Sequence, residues 1–327
     1  MSVQKDALAA GQVFVDQYGS AFRLVPGHRA MIKPHWERAL ADAPPPWDTE
    51  EQIRQELHEI ASRVRLGAKM LGIFGCRLDG QRILDIGCGR GEEAMYLAGL
   101  GAASVVGTDH QEPLCEGAEV SNPAERLLDT ADQTRRLLLE HLGELGQSAR
   151  FEEAKVSYAN DDIASSSFGD ASFDVVCSFR VLEHLAKPSQ AFGEMFRVLR
   201  PGGFAYHEYN PFFGIDGGHS LATLDIPWGH VRLAERDVDR YLAQFRPRER
   251  VKAMEHYRRL LNRMTIADME GVARDAGFEV LALVPRARTE DVLEITEELY
   301  RQARRVYPGI TLNDLVCRMV RVVLRRP

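Results

Sequence analysis

Three carboxylates and three glycines crowd one short stretch of this chain, and few kinds of chemistry use that combination. In residues 82–98, RILDIGCGRGEEAMYLA, the apolar positions Ile83, Leu84 and Ile86 run into Gly87, Gly89 and Gly91, after which the composition turns helix-forming. This is the order strand, glycine turn, helix, in which a ligand can lie against bare backbone. Glu92 stands where a dinucleotide fingerprint places its third glycine, which counts against a nicotinamide or flavin nucleotide. Asp85, Glu92 and Glu93 surround the point at which a pyrophosphate would meet helix amides, so they repel phosphate and suit a cation. A second apolar pair, Val105 and Val106, leads to Asp109, at about the 20-residue offset where an acid meets ribose hydroxyls in such folds.

A second group of reactive side chains lies in residues 209–233. His219 and His230 sit in the glycine-rich stretch GIDGGHSLATLDIPWGHVRL (214–233), where an imidazole with an ordinary pKa near 6.5 is a suitable proton acceptor. The competing reading is that each bonds its own loop. Tyr209, Phe212 and Trp228 can wall a ring or a methylammonium group, or they are core aromatics. His207 falls on an expected strand and reads as buried, and Glu183 and His184 read as shaping the site by packing. A metal held by His219, His230 and Asp225 matches no known ligand spacing, and none is expected. Residues 248–264 carry six arginines and lysines, but interleaved Glu249 and Glu255 make a solvated helix face the better reading.

The elements that must position these groups follow from periodicity. Residues 173–179, FDVVCSF, form a continuous apolar run of the kind buried on both faces of a parallel sheet. RVLEHL (180–185), a helix begun by Pro188 and the turn Arg200-Pro201-Gly202-Gly203 follow, and another strand ends at Asn210-Pro211-Phe212-Phe213. Helices are expected at about 234–245 and 248–264, and from a Thr265 cap to Gly277. Strands are expected at 150–156, 278–284 and 316–324, with a helix between the last two. Upstream, Thr49 to Gln52 has capping-box form, and Ile53, Leu57, Ile60, Val64 and Leu71 keep helical spacing. That helix reads equally as a lid or as packing. Residues before Pro46 have weak helical periodicity and read as a helical cap, ended by prolines 44–46.

S-adenosylmethionine carries a sulfonium, an ammonium and no phosphate, which matches the charge around the glycine turn. The glycine turn, Asp109 and the order FDVV, VLEH, LRPGG together resemble the class I S-adenosylmethionine-dependent methyltransferases, of the type 11 kind, over about residues 71–324. The resemblance implies a doubly wound, seven-stranded, mostly parallel sheet. It implies cofactor contacts at Asp85, Gly87, Gly89, Gly91, Asp109, His110, Asp162, Ile163, Phe179 and Arg180. Residues 1–70 would be a separate cap, and residues 71–327 the catalytic domain with a substrate loop and helical insertion at about 210–264. Asn210-Pro211-Phe212-Phe213 is similar to the motif of base-amino methyltransferases but follows the fifth strand of the fold, where theirs follows the fourth, so that role is not carried over.

A chain of 327 residues, 45% hydrophobic and 27% charged, can bury a large core, and a net charge of -7 argues against nucleic acid as the partner. No basic-then-apolar leader opens the sequence and no apolar run approaches the roughly 18 residues of a membrane span, so a cytoplasmic enzyme is expected. The five cysteines show no C-x-x-C pair and read as buried hydrophobes. The expected activity is methyl transfer to oxygen or nitrogen of a small molecule, with a homodimer left open. The rivals are methylation of RNA or protein, and a binding protein that keeps the cofactor without turnover.

Overall fold

The computed structural model describes residues 11–34, 36–40, 49–110 and 132–327. His35, the prolines at 44–46, Cys115 and the segment 111–131 lie outside the described residues. The sheet has seven strands: β3 (Arg82–Ile86), β4 (Ser104–Asp109), β5 (Lys155–Asn160), β6 (Phe173–Phe179), β7 (Leu199–Tyr209), β8 (Glu279–Ala287) and β9 (Cys317–Arg325). Their spatial order is β5-β4-β3-β6-β7-β9-β8. The first five are parallel, and β9 enters antiparallel to both β7 and β8. This is the doubly wound, mostly parallel sheet that the apolar runs demand, since strands such as β3 and β6 can only be buried on both faces.

One face of the sheet is covered by α2 (Glu50–Ile73), α3 (Glu92–Gly99) and the helix Asp132–Glu144, through Leu57, Val64, Tyr96 and Leu138. The capping box of α2 forms as its sequence requires: Thr49 Oγ1 accepts from the Gln52 amide and Gln52 Oε1 accepts from the Thr49 amide. The helix packs so closely that a Cβ on Gly67 would stand 2.7 Å from the Tyr206 ring. The other face is covered by the helices Pro188–Val198 and Ile266–Asp275.

Residues 11–40 differ from the helical expectation. β1 (Val13–Val15) and β2 (Ala21–Arg23) form an antiparallel hairpin, followed by the short helix α1 (His28–Ile32). The reason is period-two alternation, with Phe14 and Phe22 inward and their neighbours outward, around a turn in which Asp16 Oδ1 accepts from the amides of Tyr18 and Ser20. The hairpin packs into a third core with Phe212, Trp228 and Tyr241, so it shares no core with α2.

The expected strand at 150–156 is displaced: Ser148–Glu153 is a helix and β5 begins at Lys155, because inward alternation starts only at Val156 and Tyr158. The helices Glu235–Phe245, Arg250–Arg259 and Ile266–Asp275 lie where expected. The stretch 214–233, expected as an open loop, is instead packed interior with two short helices, His219–Ala222 and Gly229–Arg232. Its glycines serve close contact: a Cβ on Gly217 would stand 2.1 Å from the Phe212 carbonyl oxygen, and one on Gly214 would stand 2.3 Å from that of Cys317. Cys76, Cys88, Cys177 and Cys317 are buried.

Candidate active site

β4 and β5 lie to one side of β3, and β6 and β7 to the other, so a crevice opens beyond the carboxyl ends of β3 and β6. The glycine turn occupies it. Gly87, Gly89 and Gly91 have φ of 66°, 55° and 89°, a left-handed backbone closed to most side chains. A Cβ on Gly87 would stand 2.4 Å from Val181 Cγ2, whereas one on Gly89 would meet nothing within 4 Å. The first glycine therefore lets the ends of β3 and β6 approach, and the second presents backbone to open space.

The carboxylates around this cradle are not equivalent. Glu92 pairs with Arg90 at 2.7 Å, and Glu93 with Arg63 of α2 at 2.8 Å, so both are already compensated, contrary to a ring of three free acids. Asp85 is different. It is 1% exposed, its Oδ2 has no hydrogen-bond partner, and burial with the Glu93 charge holds its pKa well above the usual carboxylate range. A buried acid with an open lone pair fits an incoming ammonium group. Asp109, at the end of β4, accepts from the Gly89 amide at 3.0 Å, which binds strand end to cradle. His110 is exposed beside it. Asp162 Oδ1 accepts from the Ala164 amide and caps the turn Ile163–Ser165, while Ile163 is buried against the sheet. Phe179 ends β6 within the core, and Arg180 follows with a φ of 63° and an exposed side chain. A non-glycine residue in that region is uncommon and marks a constrained position at the strand end. A cavity of about 290 Å³ adjoins it, lined among others by His58, Arg63, Arg180, Glu208 and Arg321.

The aromatic and histidine predictions separate. His230 is 1% exposed, and its Nε2 donates to the carbonyls of Phe212 and Gly214 at 2.9 and 3.1 Å. Burial pushes its pKa down to about 4. It is a structural tie, which corrects its reading as a proton acceptor. Trp228 Nε1 donates to the Leu315 carbonyl at 3.0 Å, and Phe212 lies edge-on to Phe213, His230 and Tyr257 under the Arg263 guanidinium. Both are 1% exposed, so neither walls an accessible site. Tyr209 is equally buried, with its hydroxyl unpartnered. His207 is buried, bonded to Ser178 Oγ at 2.8 Å, and pushed down to about 3. Asp225 pairs with the Tyr241 hydroxyl, so His219, His230 and Asp225 do not assemble.

His219 instead meets residues the sequence reading treated as packing or passed over. Its ring centroid is 5.0 Å from that of His184 and 6.2 Å from that of His256. One ligand-capable atom from each of Glu183, His184 and His219 lies within 4.8 Å of the others. Glu183 follows Val181, the residue against Gly87, so this chamber adjoins the cradle. Lys33, at the end of α1, is half-buried close to Asp216 and Glu183, and desolvation lowers its pKa. Arg63 carried a legible signal, since Glu56 and Arg63 stand seven residues apart on one helix face. Lys33 and His256 carried none, because their partners are remote in sequence.

Residues 84–207 match the model of a family described as a methyltransferase domain. An uncharacterized methyltransferase of Mycobacterium marinum is 30% identical over 171 residues, covering 52% of this chain and 55% of that protein. A ubiquinone biosynthesis O-methyltransferase of Thiobacillus denitrificans is 30% identical over 39% of this chain and 44% of its own length. A sterol 24-C-methyltransferase of Eremothecium gossypii is 30% identical over 40% of this chain and 28% of its own. The chain thus spans about half the length, or less, of these curated relatives. The sheet and the glycine turn define a Rossmann-like fold. Through residues 84–207, the chain is similar to methyltransferase domains. No described helix is long and apolar enough to cross a membrane.

Proposed function

We propose that this protein transfers a methyl group from S-adenosylmethionine to an oxygen or nitrogen of a small molecule. The observation that carries the reading is the close approach of Val181 to Gly87, 2.4 Å from where a Cβ would stand, because the Glu183, His184 and His219 cluster begins two residues beyond Val181 and so lies beside the cradle. When bound, S-adenosylmethionine supplies a methyl group on a positively charged sulfur. On this side, Asp109 would hold ribose hydroxyls, the Asp162 and Ile163 turn would border the adenine, and Asp85 with the Gly89 backbone would hold the amino-acid end. Arg63, between Glu93 at 2.8 Å and Glu208 at 3.6 Å, is the cation available to a carboxylate, with Phe179 and Arg180 closing the strand end.

Direct displacement gains most from alignment and exclusion of water, so the packed insertion serves by forming the chamber's wall. His219 Nε2 is buried without a partner, and burial holds its pKa well below 6.5, so it offers a lone pair to an acceptor hydroxyl or ammonium. The acid-rich composition, at net charge -7, favours a small acceptor over a nucleic acid. The test is incubation of the pure protein with methyl-labelled S-adenosylmethionine and a fractionated metabolite extract. Label entering a small-molecule fraction is expected, and label confined to RNA or protein, or none at all beside measurable cofactor binding, overturns the proposal.

A further inference from the structure

Side-chain lone pairs without donors gather around Glu183, His184 and His219, whose ligand-capable atoms lie within 4.8 Å of one another. His184 Nδ1 lies 2.5 Å from the Leu260 carbonyl oxygen, which can only accept, so Nδ1 carries the proton and Nε2 keeps a free lone pair. Glu183 is 1% exposed; its Oε1 accepts from the Asn210 amide at 3.2 Å, and its Oε2 is buried without a partner. His219 Nε2 is buried without a partner as well, and so is Nε2 of His256 beside it. Native interiors rarely leave several such atoms unsatisfied together.

We infer that Glu183, His184 and His219 form a binding site for one first-row transition-metal dication of the zinc type, with His256 adjacent to the open position. Two imidazole nitrogens and one carboxylate oxygen are the donor set that favours such an ion over magnesium or calcium, which prefer oxygen alone. The supporting bonds are those a metal site needs: the Leu260 carbonyl fixes the tautomer of His184, and the Asn210 amide orients the carboxylate. His184 is exposed, which gives the ion a route in. The three groups, within 4.8 Å of one another, sit on only two short segments, Leu182–His184 and His219–Ala222. Lys33 and Arg180 both feel the Glu183 carboxylate, so each competes with an ion for it. Resting on the methyl-transfer reading, an ion held there would take up the His219 lone pair, so polarisation of the acceptor's oxygen at the open position would stand in place of proton acceptance by that imidazole, which makes an oxygen acceptor with a second chelating group the substrate class.

Metal binding can be read without cofactor or turnover. The chelator-stripped full chain, titrated with cobalt(II) and then zinc(II), should bind one equivalent, give the visible absorption of low-coordinate cobalt, and lose it to zinc. Glu183→Gln and His219→Gln should each weaken zinc binding at least 100-fold by competition with a chelating dye. Lys33→Met should tighten it several-fold, and His141→Gln, outside the cluster, should leave it unchanged. Circular dichroism confirms that each variant is folded. Absence of one-equivalent binding by the native chain, or binding untouched by both Glu183→Gln and His219→Gln, overturns the site. Native-like cofactor binding and methyl transfer in the stripped protein would overturn the ion's role and leave the methyl-transfer reading standing. Stoichiometric metal binding without any methyl transfer would do the reverse.

Discussion

The cradle and the chamber meet at Val181, yet they are built by opposite means. The cradle is nearly all local: seven consecutive residues from Asp85 to Gly91, with Asp109 tied in through the Gly89 amide at 3.0 Å. Its chemistry is supplied by backbone and by one buried acid. The chamber draws Lys33, Glu183, His184, His219 and His256 from four separate stretches, and its chemistry is supplied by side chains held against distant carbonyls and amides. The difference teaches that a backbone cradle can be built from one short stretch, whereas a side-chain cluster depends on how the insertion folds back.

The comparison can be broken most sharply at Gly87. Gly87→Val combines a φ of 66° with a 2.4 Å approach to Val181, and should cost at least about 1,000-fold in cofactor affinity, about 4 kcal/mol, by calorimetry. Near-native affinity in that variant would mean the cradle is not where the cofactor binds. On the chamber side, His230→Ala strands two buried carbonyls and should lower unfolding stability by about 3 kcal/mol in urea titrations, with cofactor affinity unchanged. A specific loss of turnover at full stability would return His230 to the mechanism.

Acid should act on the same region. His230 and His207 titrate at about 4 and about 3 in the folded chain, below the ordinary 6.5, so the unfolded chain binds protons first. Their contribution to stability is complete above about pH 6.5 and is lost as pH falls toward the folded values. At pH 5 the loss should be about 2 kcal/mol for each, visible as a falling urea midpoint. A flat profile between pH 7 and 5 would show that neither imidazole is held neutral by burial. The smallest effect is expected at the border: Arg63→Met should weaken cofactor binding about tenfold, about 1.4 kcal/mol, because Glu93 and Glu208 already share that guanidinium. No change would place Arg63 in packing alone.

How far each region was legible follows from the same contrast. Strand, turn and helix around Asp85 to Glu93 rest on contacts between near neighbours and on apolar runs, and these can be read along the chain. Asp109 was legible because a parallel neighbour strand returns at a characteristic distance. The pairing of Glu92 with Arg90 and of Glu93 with Arg63 was not, so the acids looked freer than they are. In residues 209–233, glycines and aromatics suggested an open loop, but Gly214 and Gly217 are there because carbonyl oxygens stand within 2.3 Å of where a Cβ would be. The sequence by itself determined the sheet and the glycine cradle, because hydrophobic periodicity and backbone freedom are local properties. Only the tertiary structure decided which histidine is tied to carbonyls and which faces Glu183, because two imidazoles eleven residues apart in one stretch are distinguished solely by what remote segments bring against them.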